Sequence, residues 1–346
     1  MTVRLATGTF PDDLPALAVP AGDAAGADAL AAWLAAHRDE VRAWLSQYGA
    51  VLLRGFALTS ADCFSRCMDA LGEPPMPYLH GTSPRSRVAR EIYTSTEAPP
   101  ALPIPLHNEM SYRRPCPRYI AFFCETAPQV SGATPLVDMR RVYADVPAEL
   151  RQRFDTLGVR YVRRIPRRVD RFHPTCWPQM YGTDDAEKVA ALCKSDGYDV
   201  EWGPRATLHL LNTHPASVAV PQANGHVSPG HRVWFNQVVV FHSSLFQEFA
   251  RHGNHGVQWF LRMRRALRRL APRFFPYPYD AMFGDGSAID DRAMRAVREA
   301  HWRNETFFRW QAGDLLLIDN LIVGHGRQPF RGPRRILAAL RGSMSP

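Results

Sequence analysis

The chain has 346 residues, 46% hydrophobic and 22% charged, which is enough apolar material for a substantial core. No run approaches the roughly 18 apolar residues of a membrane span, the start MTVRLATGTFPDD lacks the apolar stretch of a secretion signal, and six scattered cysteines without a C-x-x-C pair fit reduced thiols, so a cytoplasmic protein is expected. The net charge of +9 does not indicate nucleic-acid binding, because only Lys188 and Lys194 among 42 basic residues are lysines and the arginines are dispersed, apart from short runs at 160–171 and 262–269.

In chain order, Leu30, Trp33, Leu34, Val41, Trp44 and Leu45 recur at helical spacing and predict an amphipathic helix over Ala27–Tyr48, stopped by Gly49. AVLLRGF (50–56) is a short β-like run. The segment 59–72 predicts a helix capped by Thr59, with Phe64, Met68 and Leu71 on one face. After the Pro-rich loop 97–105 come the strand-like runs RYIAFFCET (118–126) and TPLVD (134–138). WFNQVVVFH (234–242) reads as another strand, and GDLLLIDNLIVGHG with RRILAALRG (334–342) as a terminal strand pair. Helical patterns near 243–271 and 289–303 interrupt this β-rich half. The expected architecture is mainly β with helices: one domain over 1–346, with an N-terminal helical layer and a helical insert at about 243–305.

The chemistry concentrates at Leu106-His107-Asn108-Glu109-Met110. On an extended segment alternate side chains share a face, so His107 and Glu109 can take adjacent positions on one metal ion. Two histidines and one carboxylate hold one face of an iron(II) ion and leave the other open, and the third ligand expected is His325, after the apolar run LLLIDNLIVG. Ten residues beyond it, Arg335 is expected to grip a carboxylate with its planar fork, and Thr134 in SGATPLVD can donate a hydroxyl to the same group. Taken singly, each of these residues reads equally well as a surface or core residue; their conjunction carries the argument. Met110 and Tyr112 continue past the ligand segment. Asn236 and Gln237 are polar residues in an apolar run, and Arg341 shares a strand face with Arg335. Met110, Asn236, Gln237 and Arg341 are the expected substrate contacts, and no catalytic group beyond the metal site is expected.

The blocks GAVLLRGF, LHNEMSY, GATPLVD, VWFNQ and GDLLLIDNLIVGHGRQPFRGPRRI, from about residue 49 to 336, resemble the taurine dioxygenase and clavaminate synthase-like family of 2-oxoglutarate-dependent oxygenases. The resemblance implies a double-stranded β-helix, a jelly roll with the metal in its mouth. It further implies iron on His107, Glu109 and His325, and 2-oxoglutarate held by Thr134 and Arg335, with O2 as the second cosubstrate. Many members carry Asp at the Glu109 position. The branch with Glu, that of the clavaminate synthase-like and syringomycin-type hydroxylases, acts on amino acids, free or tethered to a carrier protein, so C–H hydroxylation of an amino-acid unit is expected. Desaturation, ring closure or N-directed oxidation with the same cofactors is the alternative, and a non-catalytic scaffold is the alternative of another class. Retention of Glu109 argues against halogenation, for which related enzymes lack the carboxylate.

Overall fold

A computed structural model of the chain describes residues 1–22, 25–78, 85–169, 175–221, 227–270 and 277–346. Two sheets share one apolar core. The larger has eight strands in the order Val3–Ala6, Ala16–Pro20, Ala50–Leu53, Leu315–Asp319, Cys116–Thr126, Arg335–Met344, Ile92–Thr94 and Arg87–Ala89. The smaller runs Glu305–Thr306, Leu136–Asp138, Val323–Arg327, Ile104–His107, all antiparallel. Apart from the consecutive pairs at the two ends of the larger sheet, neighbours lie far apart in sequence, so the closing strands of the chain are laced between earlier ones, as the expected jelly roll requires.

Side chains alternate across a strand, and the large sheet is apolar on both faces. Ile120, Phe122, Leu316, Ile318, Ile336, Ala338 and Leu340 enter the core shared with the small sheet. Ala121, Phe123, Leu315, Leu317, Leu337 and Ala339 face the other way, against Leu30, Trp33, Leu34, Leu45, Phe64 and Met68 of the N-terminal helical layer. Burial on both faces is why these strands read in the sequence as continuous apolar runs rather than alternating ones.

Several expectations change in detail. The single helix over Ala27–Tyr48 is two, Ala27–Ala36 and Arg38–Tyr48, broken at His37, whose φ is −121° and whose Nδ1 donates to the Trp33 carbonyl at 2.9 Å. The next helix, Ala61–Ala70, is capped by Ser60, not Thr59, its hydroxyl accepting from the Cys63 N–H at 3.2 Å. The run 234–242 is not a strand: extended pairing ends at Trp234 and Val238–Phe241 makes a single helical turn. Asn236 causes the change, because its Oδ1 accepts from the Val238 N–H at 3.1 Å and its Nδ2 donates to the Ala216 carbonyl at 2.7 Å, a local side-chain bond that competes with a ladder. The terminal pair is three strands divided between the sheets, Leu315–Asp319 in the large one, Val323–Arg327 in the small one and Arg335–Met344 back in the large one.

The insert holds the helices Phe246–Arg251, His255–Leu270 and Asp291–Arg303, but also the strand Tyr279–Phe283, which joins a sheet with Val159–Ile165, Thr207–His214 and Asp199–Gly203. The basic run 160–171 begins in that sheet and its last two residues lie outside the described residues. All six cysteines are unpaired, and among the described residues no helix is long and apolar enough to cross a membrane.

Two histidines of the insert region are buried without charge. His242 is pushed down to about 3 by burial and by the neighbouring Arg298, and His301 down to about 4 mainly by burial. In the unfolded chain both titrate near 6.5, so between that value and the folded ones the unfolded state binds more protons and stability falls as pH falls. Each group contributes a slope of up to about 1.4 kcal/mol per pH unit. Asp319, raised to about 6 by burial, opposes them over part of the window. The unfolding midpoint is therefore expected to drop between about pH 7 and pH 5, with a shallower drop in His301→Gln; an equal slope in that variant would remove His301 from the account.

Candidate metal centre

The strand Ile104–His107 pairs antiparallel with Val323–Arg327, and the register sets His107 directly opposite His325 with ring centroids 4.7 Å apart. The close approach of these strands needs Gly326, where a Cβ would stand 2.6 Å from the Ile104 carbonyl oxygen. Glu109 arrives differently from the simple alternation expected. The strand ends at His107, Met110 turns with φ 54°, and Glu109 sits on that turn. Asn320 fixes it there: its Oδ1 accepts from the Glu109 N–H at 2.6 Å, its Nδ2 donates to the carbonyls of Glu109 (3.0 Å) and Pro117 (2.8 Å), and its own carbonyl accepts from Asn108 Nδ2 at 2.7 Å. The clamp is buried, so each of these bonds replaces water that cannot reach the groups.

One ligand atom from each of His107, Glu109 and His325 lies within 4.8 Å of the others, and His325 Nε2 is 3.6 Å from Glu109 Oε2. His107 Nδ1 donates to the Pro105 carbonyl at 2.8 Å, which fixes the ring and leaves Nε2 with its lone pair. Burial, then the adjacent His325, pushes His107 down to about 4, so it stays neutral and able to ligate at physiological pH. Burial alone would raise Glu109, but the Arg85 guanidinium and His325 override it and hold the carboxyl well below its ordinary range. Arg85 Nη2 donates to Glu109 Oε2 at 2.6 Å, and both side chains are only 5% exposed. Two imidazoles and one carboxylate on a single face fit iron(II), leaving the cavity side for cosubstrates.

That cavity has a volume of about 300 Å³, and Thr134 and Arg334 lie on its wall with the three candidate ligands. Thr134 Oγ1 accepts from Trp310 Nε1 at 3.0 Å and from Arg334 Nη2 at 3.4 Å, so both its lone pairs are engaged and its hydroxyl proton is what it has left to offer. Gly132, with φ 74°, turns the chain before Thr134, and its carbonyl accepts from Arg334 Nε at 3.0 Å. Burial and nearby Arg327 lower Arg334 to about 10, which leaves it cationic at neutral pH.

The arginine on the cavity wall is thus Arg334, one residue before the Arg335 expected there. Arg335 is 52% exposed, pairs with Glu125 at 2.5 Å and has no place on the cavity wall. It shares its strand face with Leu337, Ala339 and Arg341, the face toward the helical layer, whereas Arg334 precedes Ile336 on the inner side.

 Leu337, Ala339 and Arg341 form that outer row. Arg341 was expected to meet substrate and does not: it is buried under the helical layer, 3.3 Å from Asp69, and borders a separate void of about 20 Å³. Met110 packs into the core, and Asn236 is consumed by the turn described above, so neither reaches the cavity. Gln237 does line it, with Nε2 bonded to the Asn108 carbonyl at 2.7 Å.

The sequence reading missed Arg85, Arg334, Asn320 and Arg327. Arg327 is buried and donates to the carbonyls of Ala98 (2.9 Å), Pro99 (2.7 Å) and Leu102 (2.7 Å), tying the Pro-rich loop down as one wall of the cavity. Only Asn320 left a usable signal, an Asp-Asn pair ending an apolar run, where a turn is expected.

Comparison with known proteins agrees with this geometry. The family described as Taurine catabolism dioxygenase TauD, TfdA family matches residues 17–341. The dapdiamide synthesis protein DdaC of Enterobacter agglomerans is 30% identical over 297 residues, covering 86% of this chain and 83% of the relative. A clavaminate synthase-like protein of Arabidopsis thaliana is 31% identical over 301 residues, covering 86% and 82%. Among solved structures, AAD-2 in complex with Mn(II) and N-oxalylglycine shares the fold, with a TM-score of 0.53 at 11% identity over 100% of this chain and 99% of that one. The chain belongs to the TauD/TfdA family and is an iron(II)- and 2-oxoglutarate-dependent dioxygenase.

Proposed function

We propose that the enzyme hydroxylates an unactivated C–H bond of a small amino-acid-type substrate in a biosynthetic pathway, with iron(II) on His107, Glu109 and His325 and 2-oxoglutarate held by Arg334 and Thr134. The observation that carries the reading is that the three candidate ligands, Thr134 and Arg334 border one cavity of about 300 Å³, at the lower end of ligand-pocket volumes, which suits 2-oxoglutarate with a small substrate. The likeness to DdaC, named for dapdiamide synthesis, supports biosynthesis rather than catabolism. The carboxyl of such a substrate is either free or bound to a carrier protein.

With iron bound, the site supplies oxidising power by coupling decarboxylation of 2-oxoglutarate to reduction of O2. The protein's part is positioning. Arg334 offers a forked cation, and Thr134 its hydroxyl proton, to the far carboxylate of 2-oxoglutarate. Phe122, Phe241 and Leu245 line the same space with apolar surface and keep it poor in water. The Nδ1–H of His107 stays on the Pro105 carbonyl throughout, so the ring cannot rotate away from the metal position.

Anaerobic titration with iron(II) and 2-oxoglutarate is expected to give the visible charge-transfer band of the chelate in the wild type and none in His325→Ala. A band of equal strength in the variant would show that the metal sits elsewhere. Arg334→Lys keeps a charge but loses the fork, and is expected to raise the KM for 2-oxoglutarate on the order of tenfold or more, whereas Arg335→Ala changes it little. The reverse ranking would restore Arg335. With a turned-over amino-acid substrate, mass spectrometry is expected to show gain of one oxygen atom. Loss of two hydrogens instead would establish desaturation or ring closure.

A further inference from the structure

Among the described residues, the ionised side chains on the cavity wall, histidines aside, are Glu109 and three arginines, 85, 327 and 334. Each arginine has a different claim on it. Arg327 is spent on three carbonyls of the Pro-rich loop. Arg334 stands with Thr134. Arg85 is 5% exposed, lies over the Tyr78 ring at 4.2 Å and bonds Glu109 through Nη2 alone; its Nε and Nη1 are buried with no hydrogen-bond partner among the described residues.

A buried guanidinium with two idle nitrogens is costly unless something arrives to pair with them. The charge balance of the loaded site makes the need sharper. A divalent cation and the dianion of 2-oxoglutarate cancel, so the positive excess of the cavity survives loading. Once Glu109 shares its charge with a metal, that excess falls on Arg85. Neither the cofactors nor any other acidic side chain on the wall answers it.

We infer that Arg85 is the anchor for a free carboxylate of the substrate, taken on the guanidinium edge formed by the second N–H of Nη2 and one of the nitrogens that the structure leaves unpartnered. The inference rests on the function proposed above and narrows it. A planar monoanion fits the guanidinium fork, and a carboxyl group already bound as a thioester or amide carries no charge to offer. The substrate class is therefore the free acid, not its carrier-bound form. Arg85 also lies against a metal ligand, so the carbon to be oxidised is only a few bonds from the anchored carboxylate. A structural role, in which Arg85 merely neutralises Glu109 in the empty site, predicts effects on metal affinity and stability with no preference for acids.

The test uses full-length protein loaded anaerobically with iron(II) and 2-oxoglutarate, and reads binding from the perturbation of the charge-transfer band and by calorimetry. The probes are the common L-amino acids, their carboxamides and N-acetylcysteamine thioesters, and simple aliphatic monocarboxylates. Acids are expected to bind the wild type on the order of a hundredfold more tightly than the matching amides and thioesters. Arg85→Gln is expected to abolish that preference while still binding iron and 2-oxoglutarate, and Arg85→Lys to keep part of it. Amides or thioesters binding as well as acids would overturn the assignment, as would a preference that survives in Arg85→Gln, or no binding of any acid to the loaded wild type. If monocarboxylates bind through Arg85 while amino acids do not, the anchor stands and the amino-acid reading falls.

Discussion

Everything at the site depends on one register, His325 opposite His107 across two antiparallel strands of the small sheet. A slip of one residue would turn one imidazole to the far face, because strand side chains have a period of two. Several unrelated contacts hold the alignment. Asn320 bonds the chain on both sides of the turn that carries Glu109. The close packing at Gly326 leaves no room for a side chain. Val137 and Leu136 pair with Gly324 and His325 from the other side of the same strand. The metal geometry is thus a property of sheet pairing, and the two histidines need no flexible loop to bring them together.

The electrostatics follow from the same burial. A carboxylate shut away from water stays ionised only if a cation or hydrogen-bond donors face it, and the Arg85 guanidinium, followed by His325, supplies that environment. The neutral state of His107 is another product of burial, and it is the state a ligand must have. Burial therefore prepares both kinds of donor in opposite ways, by suppressing charge on the ring and by forcing a cation close to the carboxylate.

How much of this was legible in the sequence differs by residue. The ligands His107, Glu109 and His325 stood in short recognisable blocks, and the structure brings them together. Thr134 was placed on the correct wall. The structure puts Arg334 and not Arg335 on the cavity wall, and the sequence could not tell them apart because RRILAALRG lies in a strand buried on both faces: with apolar residues on either side, the string contains no alternation from which its parity can be read. Arg341 lies away from the cavity for the same reason, since it shares the outer row with Arg335. The single helix predicted over Ala27–Tyr48 failed at His37, where a side-chain bond to Trp33 that no periodicity encodes interrupts it. Arg85 carried no local signal, because its meaning comes from a Glu109 contact made 24 residues away.

The cavity is built from two kinds of material. The candidate ligands belong to the small sheet and the turn that follows its strand, whereas Leu245, Phe249 and Tyr279 are contributed to the wall by the inserted segment. The candidate ligands and part of the wall that faces them are therefore encoded in separable stretches of the gene. Recombination or directed evolution confined to codons 243–283 can reshape that part of the wall while the ligand residues and Arg85 stay fixed.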